Sequence, residues 1–222
     1  MRQNVLLSWS SGKDSAWSLQ VLREDPGVRV VGLLTTFNEA ADRVAMHAVR
    51  RALVESQAAA AGLPLLPAML PWPCPNSAYE AAMQAALGRA RAELHIDAVA
   101  FGDLFLEDIR RYREEKMAGT GLECLFPLWG EPTAALARTM IEAGLKARLT
   151  CVDPAQCPPR FAGRPFDLAL LDDLPEAVDP CGENGEFHSF VHDGPMFDRA
   201  IDVTPGDIVE RDGFVFADVV PA

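Results

Sequence analysis

Apolar positions in the first two thirds of the chain form short runs that alternate with longer stretches of helical period. Val5-Leu6-Leu7 is a compact apolar run ending in polar residues, and Ala16 to Arg23 then reads as a helix. Val28 to Thr36 is a β-branched run that predicts a strand. His47 to Ala61 is Ala-rich with long side chains, a helix closed by Gly62. Leu65 to Leu70 predicts a strand, after which Pro71, Pro73 and Pro75 impose a loop. Ser77 to Glu80 fits a capping box for a helix reaching about Leu94. Ala98 to Phe101 predicts a strand, Gly102-Asp103 a turn and Glu107 to Met117 a helix. Pro132 suits the first residue of another helix ending at Gly144, and Ala147 to Val152 predicts the next strand.

This βαβαβα order implies an α/β fold, a parallel sheet with helices on both faces. Ligands of such sheets bind beyond the carboxyl ends of the strands, so the loops after residues 7, 36, 101 and 127 are the places to look. The last part is richer in Pro and Gly, with Glu210 to Phe214 as a hairpin turn. A smaller α+β C-terminal part is expected. The organisation predicted is residues 1–130 and 131–222, with the boundary between 130 and 155.

Charge sharpens this division. The chain of 222 residues carries a net charge of −12, but residues 1–150 are nearly neutral, while residues 151–222 hold 4 basic and 15 acidic groups. Such a balance argues against a broad nucleic-acid surface, which needs clustered Lys and Arg. No apolar run reaches the roughly 18 residues of a membrane span. The N-terminal apolar run is too short for a signal peptide, with Lys13 and Asp14 close behind it. The five cysteines form no C-x-x-C pair, so a reduced, cytoplasmic setting is expected.

Ser8-Trp9-Ser10-Ser11-Gly12-Lys13-Asp14-Ser15 follows a strand and opens a helix. Small hydroxyl residues and a glycine let backbone N–H groups approach an anion, and the helix N-terminus favours phosphate. Lys13 adds a point charge, and Asp14 suits Mg2+, which prefers carboxylate and phosphate oxygens. The spacing is neither G-x-x-x-x-G-K-[ST] nor G-x-G-x-x-G.

Ser10-Ser11-Gly12-Lys13-Asp14-Ser15 resembles the PP-loop of N-type ATP pyrophosphatases. With Phe101-Gly102-Asp103-Leu104, Phe126-Pro127-Leu128-Trp129 and Cys181-Gly182-Glu183-Asn184-Gly185-Glu186-Phe187-His188, the chain resembles the diphthine–ammonia ligase family over residues 4–197. The resemblance implies a Rossmann-like, PP-loop ATPase fold and an adenylating enzyme. ATP is cleaved between the α- and β-phosphates, an acceptor carboxylate is joined to AMP, and ammonia or an amine displaces AMP to give an amide. Ser8, Ser10, Ser11, Gly12, Lys13, Asp14 and Ser15, with Gly102 and Asp103, are then the ATP-binding residues. Leu34, Thr35 and Thr36 should lie against the adenine. Lys13, Asp14, Glu183, Glu186 and His188 are the catalytic candidates, and Asn184 and Gly185 contact the acceptor.

Two departures from the family pattern stand out. Ser11 replaces a loop glycine, and the expectation is an allowed backbone conformation with the hydroxyl turned towards phosphate. Asn184 and His188 replace a Gly and a Glu, which alters the acceptor side of the site.

His47, Arg50 and Arg51 share about one helical turn, a phosphate or carboxylate contact or a solvated face. Among the arginines near Gly102-Asp103, Arg113 is assigned to substrate. His188 and His192 lie on one face of a strand but lack a third metal ligand. Cys181 is either reactive or a buried inert thiol. The acceptor expected is a small molecule or a modified protein histidine, with ammonia, an amine or a separate partner supplying nitrogen. A homodimer is compatible with the sequence, and no membrane partner is expected. Rival readings are a nucleotide-binding sensor without turnover and a tRNA-modifying PP-loop enzyme.

Overall fold

A computed structural model of the chain describes residues 2–44 and 48–222. The N-terminal part runs β1 (Gln3–Ser8), α1 (Lys13–Glu24), β2 (Val28–Asn38), β3 (Arg43–Val44), α2 (Arg51–Ala60), β4 (Leu65–Leu70), α3 (Asn76–Leu94), β5 (Ala98–Ala100), α4 (Glu107–Met117) and β6 (Glu123–Leu125). Then come α5 (Thr133–Glu142), β7 (Lys146–Val152), α6 (Leu168–Asp173), β8 (Phe187–Asp193), β9 (Val203–Arg211) and β10 (Phe214–Pro221).

Strands β4, β2, β1, β5 and β6 form a parallel sheet in that order, with β3 antiparallel to the end of β2. The strands are apolar on both faces because both are covered. Val5 and Leu7 point into one core with Leu19 of α1 and Leu53 of α2, whereas Leu6 packs on the opposite side with Ala86 and Leu87 of α3 and Met117 of α4. From β1 the chain builds to one side as β2 and β4, then crosses to the other side as β5 and β6. The carboxyl ends of β1 and β5 therefore flank the switch point where open α/β sheets bind ligands.

The strand at 146–152 departs from expectation. It does not extend the parallel sheet but joins an antiparallel sheet of order β8-β7-β10-β9. Its two partners pair with it across 35 or more residues of chain, which local periodicity does not reveal. The hairpin turn is as expected, with Asp212 and Gly213 at φ 52° and 82° between β9 and β10. The capping box is not formed: Pro75 is the N-cap of α3, Ser77 lies inside the first turn, and Glu80 binds Lys116 at 2.6 Å. One apolar core runs from β1, α1 and α2 into the second sheet at Leu149, Phe190 and Val191. Among the described residues no helix is long and apolar enough to cross a membrane.

Candidate functional site

After β1 the chain enters α1 through a turn held by serines. Ser15 Oγ donates to the Gly12 carbonyl at 2.9 Å and accepts the Ser10 amide at 3.3 Å, while Ser10 Oγ accepts the Gly12 amide at 3.3 Å. The first-turn amides of a helix have no partner within it. Ser189 Oγ takes the Lys13 amide at 3.2 Å. Those of Asp14 and Ser15 are left at the positive end of the helix.

Ser11 corrects the expectation. Its φ of 72° is left-handed, which costs a residue with a Cβ about 1 kcal/mol or more. Its hydroxyl is buried without a hydrogen-bond partner, and Ser11 is not among the residues lining the cleft described below.

The β5–α4 loop closes on this helix end. A Cβ at Gly102 would lie 3.1 Å from the Asp14 carbonyl carbon and 3.1 Å from the Ser15 nitrogen, so glycine lets the two backbones meet without a shift. The result is a cleft of about 270 Å³. Ser8, Ser10, Gly12 and Asp14 line one wall, Gly102, Asp103 and Arg113 a second, and Glu183, Gly185 and His188 a third. Arg113 reaches Asp103 at 3.5 Å and lies 4.9 Å over the Phe101 ring. Phe126 stacks on Phe101 at 5.7 Å, and the Arg110 guanidinium sits 4.8 Å from Phe126 and 4.7 Å from Trp129. The Phe126–Trp129 block thus buttresses the cleft from behind.

Lys13 is buried, with its ammonium 2.9 Å from Asp14 Oδ2 and donating to the Cys181 carbonyl. Burial disfavours this charge, but the Asp14 carboxylate more than offsets it and holds the lysine pKa above its ordinary value. Asp14 Oδ1 is buried and unpartnered. Among the described residues no group of three or more His, Cys, Asp or Glu gathers to hold a metal ion. A cation at Asp14 Oδ1 would share its coordination with ligand oxygens, as magnesium does on phosphates.

Glu183 Oε1 accepts the Leu104 amide at 2.7 Å. Its pKa is pushed up to about 7 by burial, with Asp14 and Asp103 adding to the rise against that amide. Burial, assisted by the Lys13 charge, lowers His188 to about 4, so its imidazole is neutral at pH 7. Cys181 is buried, its thiol donates to the Thr133 carbonyl at 3.5 Å, and burial raises its pKa strongly, the inert alternative.

Other expected residues are not brought to the cleft. Glu186 is buried behind it: its carboxylate accepts the Asp179 and Asn184 amides and the Asn184 side chain, each at 2.9 Å. Glu186 and Asn184 thus organise the 179–186 loop. Leu34 and Thr35 are buried, and Thr35 Oγ1 donates to the Trp9 carbonyl at 2.8 Å. The register sets Leu34 beside Ser8, so residues 34–36 flank the serine-rich turn without lining the cleft. Arg50 pairs with Asp218 on β10 together with Arg43. His47 lies outside the described residues. Sequence reading missed Ser189, whose available signal was a buried serine between Phe187 and Phe190 in an otherwise apolar strand.

A larger trough of about 430 Å³ adjoins the cleft between α3 and α4, sharing Phe101 and Arg113 with it. Both tyrosines of the chain, Tyr79 and Tyr112, line it.

Residues 132–217 match the diphthamide synthase C-terminal domain family. The chain is 34% identical over 139 residues to a diphthine–ammonia ligase of Danio rerio, covering 60% of this chain and 54% of that protein. It is 30% identical over 121 residues to one of Schizosaccharomyces pombe, covering 52% and 20%, and 28% identical over 130 residues to one of Bos taurus, covering 56% and 48%. The chain thus spans about half, or less, of the length of the curated relatives it matches. By these matches residues 132–217 resemble a diphthamide synthase C-terminal domain, and the chain is similar over a little more than half its length to diphthine–ammonia ligases.

Proposed function

We propose that this protein is an ATP-dependent, AMP-forming ligase that joins ammonia or an amine to an acceptor carboxylate. The acceptor class is that named by its relatives, diphthine, a modified histidine side chain. One observation carries the reading. The switch-point cleft brings together a helix N-terminus, a carboxylate with one buried, unpartnered oxygen, and Glu183, which titrates near neutrality.

The chemistry follows from these groups. The Asp14 and Ser15 amides and the helix field hold the phosphates of ATP, with the base directed along residues 34–36. Asp14 Oδ1 would hold a magnesium ion shared with nucleotide oxygens, which neutralises phosphate charge when bound. An acceptor carboxylate oxygen attacks the α-phosphorus, the bond from that phosphorus to the bridging oxygen breaks, and pyrophosphate leaves. Ammonia then attacks the acyl carbon, AMP departs with the bonding pair, and Glu183 takes the proton shed by nitrogen. The buried Lys13 ammonium, held by Asp14, sets one fixed positive charge beside the transferring group. His188 stays neutral and offers hydrogen bonding without charge. A cleft of about 270 Å³ is small for nucleotide and acceptor together, since small-molecule sites usually span about 300–1,000 Å³. The adjoining trough supplies the remaining room for the acceptor.

The test is product analysis with labelled ATP, magnesium, ammonium and a synthetic peptide bearing diphthine, beside Asp14→Ala. AMP, pyrophosphate and amidated peptide, all lost in the variant, support the ligase. ATP binding without turnover favours a sensor. AMP formation that requires tRNA instead of the peptide favours tRNA modification. ADP and phosphate as the mutant-sensitive products overturn α-phosphorus chemistry.

A further inference from the structure

The left-handed Ser11 has no local cause. No glycine occupies the position, and its own hydroxyl bonds to nothing. What holds it comes from two other elements. The Ser11 carbonyl accepts the Val191 amide of β8 at 3.0 Å and the Gln57 side-chain amide of α2 at 3.0 Å. Gln57 is fully buried, and its side chain is completely used. Nε2 also donates to the Val191 carbonyl at 2.6 Å, and Oε1 accepts the Trp9 indole N–H at 2.8 Å. One side chain therefore ties together the end of β1, the crest of the phosphate loop and the second sheet. A buried amide with every group satisfied specifies one arrangement, because any other leaves polar atoms unpaired.

We propose that Gln57 is the positioning residue of the phosphate loop. It acts through Ser11, holding that residue left-handed so that the Asp14 and Ser15 amides line the cleft. It touches neither phosphate nor acceptor and does not line the cleft. The assignment rests on the phosphate-binding reading given above. It goes beyond that reading by placing control of loop geometry in a helix with no phosphate-binding motif.

The experiment separates loop geometry from stability. Binding of inorganic pyrophosphate in the presence of magnesium is measured by calorimetry well below the melting temperature, for wild type and three variants. Gln57→Met keeps the volume and removes all three hydrogen bonds. Gln57→Glu keeps the acceptor for Trp9 and replaces the two donors by a carboxyl oxygen facing the Ser11 and Val191 carbonyls, and it serves if the Met variant does not fold. Leu53→Ala creates a cavity at another buried position of α2 and controls for lost stability. The expected result is pyrophosphate binding weakened about tenfold or more in both Gln57 variants and within about twofold of wild type in Leu53→Ala, at comparable losses of Tm. Unchanged affinity in the Gln57 variants overturns the proposal, as does equal weakening in Leu53→Ala. Absence of binding by wild type itself removes the phosphate reading, a failure visible before any variant is measured.

Discussion

Gly102→Ala is the sharpest perturbation of the cleft because it adds one carbon where two backbones meet. The new Cβ would lie 3.1 Å from the Asp14 carbonyl carbon, 3.1 Å from the Ser15 nitrogen and 3.2 Å from the Asp14 oxygen. Non-bonded carbons settle at about 3.5–4.0 Å, so the methyl sits roughly 0.4–0.9 Å too close. A side chain would swing aside, but these are backbone atoms in the first turn of α1. That turn is pinned by the Lys13 amide on Ser189 and the Lys13 ammonium on Cys181. The loop and the helix end must therefore share the displacement. Overpacking of this kind costs about 1–3 kcal/mol, which at about 2–4 °C per kcal/mol for a chain of this size lowers Tm by roughly 2–12 °C. The amides move by a sizeable fraction of an ångström, and AMP formation should fall about 10- to 100-fold. The assay is AMP release from labelled ATP beside a thermal melt of the same preparation. Wild-type rate and wild-type Tm together would refute the reasoning, showing slack where the contact distances imply none.

Glu183 should set a pH dependence. Because its pKa is about 7, the fraction able to accept a proton rises through neutrality, so amide formation should climb with pH to a plateau above about 8, and Glu183→Gln should flatten that limb in a pH–rate profile. Lys13→Met leaves Asp14 a partly buried carboxylate without its cationic partner, which should destabilise the fold by less than the about 3–5 kcal/mol of a fully buried pair. Desolvation already raises the Asp14 pKa against the pull of Lys13, and removing the lysine raises it further, so the lost stability should return as pH falls, which denaturant melts across pH will show. Asp218→Asn should lower Tm by loosening Arg43 and Arg50 while leaving pyrophosphate affinity unchanged, because neither arginine lines the cleft.

The parts legible in the sequence are those whose cause is local. An apolar run followed by hydroxyl residues, a glycine and a helix places the serine-rich turn between β1 and α1, and a proline-bounded apolar stretch gives β4 its observed limits. The α4 helix and the Asp212-Gly213 turn follow from the same kind of local rule. What escaped was set at a distance. Ser11 is left-handed because Gln57 and Val191 bind its carbonyl, and nothing in residues 8–15 announces that. The 181–188 block was legible as a polar cluster but not in its orientation. Gly182 and Gly185 at φ 68° and 86° break any strand or helix period between them. Glu183 therefore turns to the cleft and Glu186 to the interior, although both sit three residues apart in the same motif. A Cβ at Gly182 would come within 2.8 Å of the Phe187 carbonyl, so this local fold depends on that glycine.

The proposed phosphate loop is consequently not a self-contained motif that any α/β sheet would carry. Its helix N-terminus and hydroxyl-rich turn come from β1 and α1, but its closing contacts come from the second sheet and the loop before it. Val191 binds the Ser11 carbonyl, Ser189 binds the Lys13 amide, and the Cys181 carbonyl receives the Lys13 ammonium. The same segment supplies Glu183 and His188 to the opposite wall. The groups that would hold phosphate and those that would handle the acceptor are thereby registered against each other through a few buried hydrogen bonds. In-line displacement at phosphorus demands such fixed geometry, because its catalysis is mostly positioning and charge. A small shift of β8 relative to β1 would misplace nucleotide and acceptor groups together. This accounts for a buried, fully satisfied glutamine at the seam where two loosely packed halves would have left a softer site.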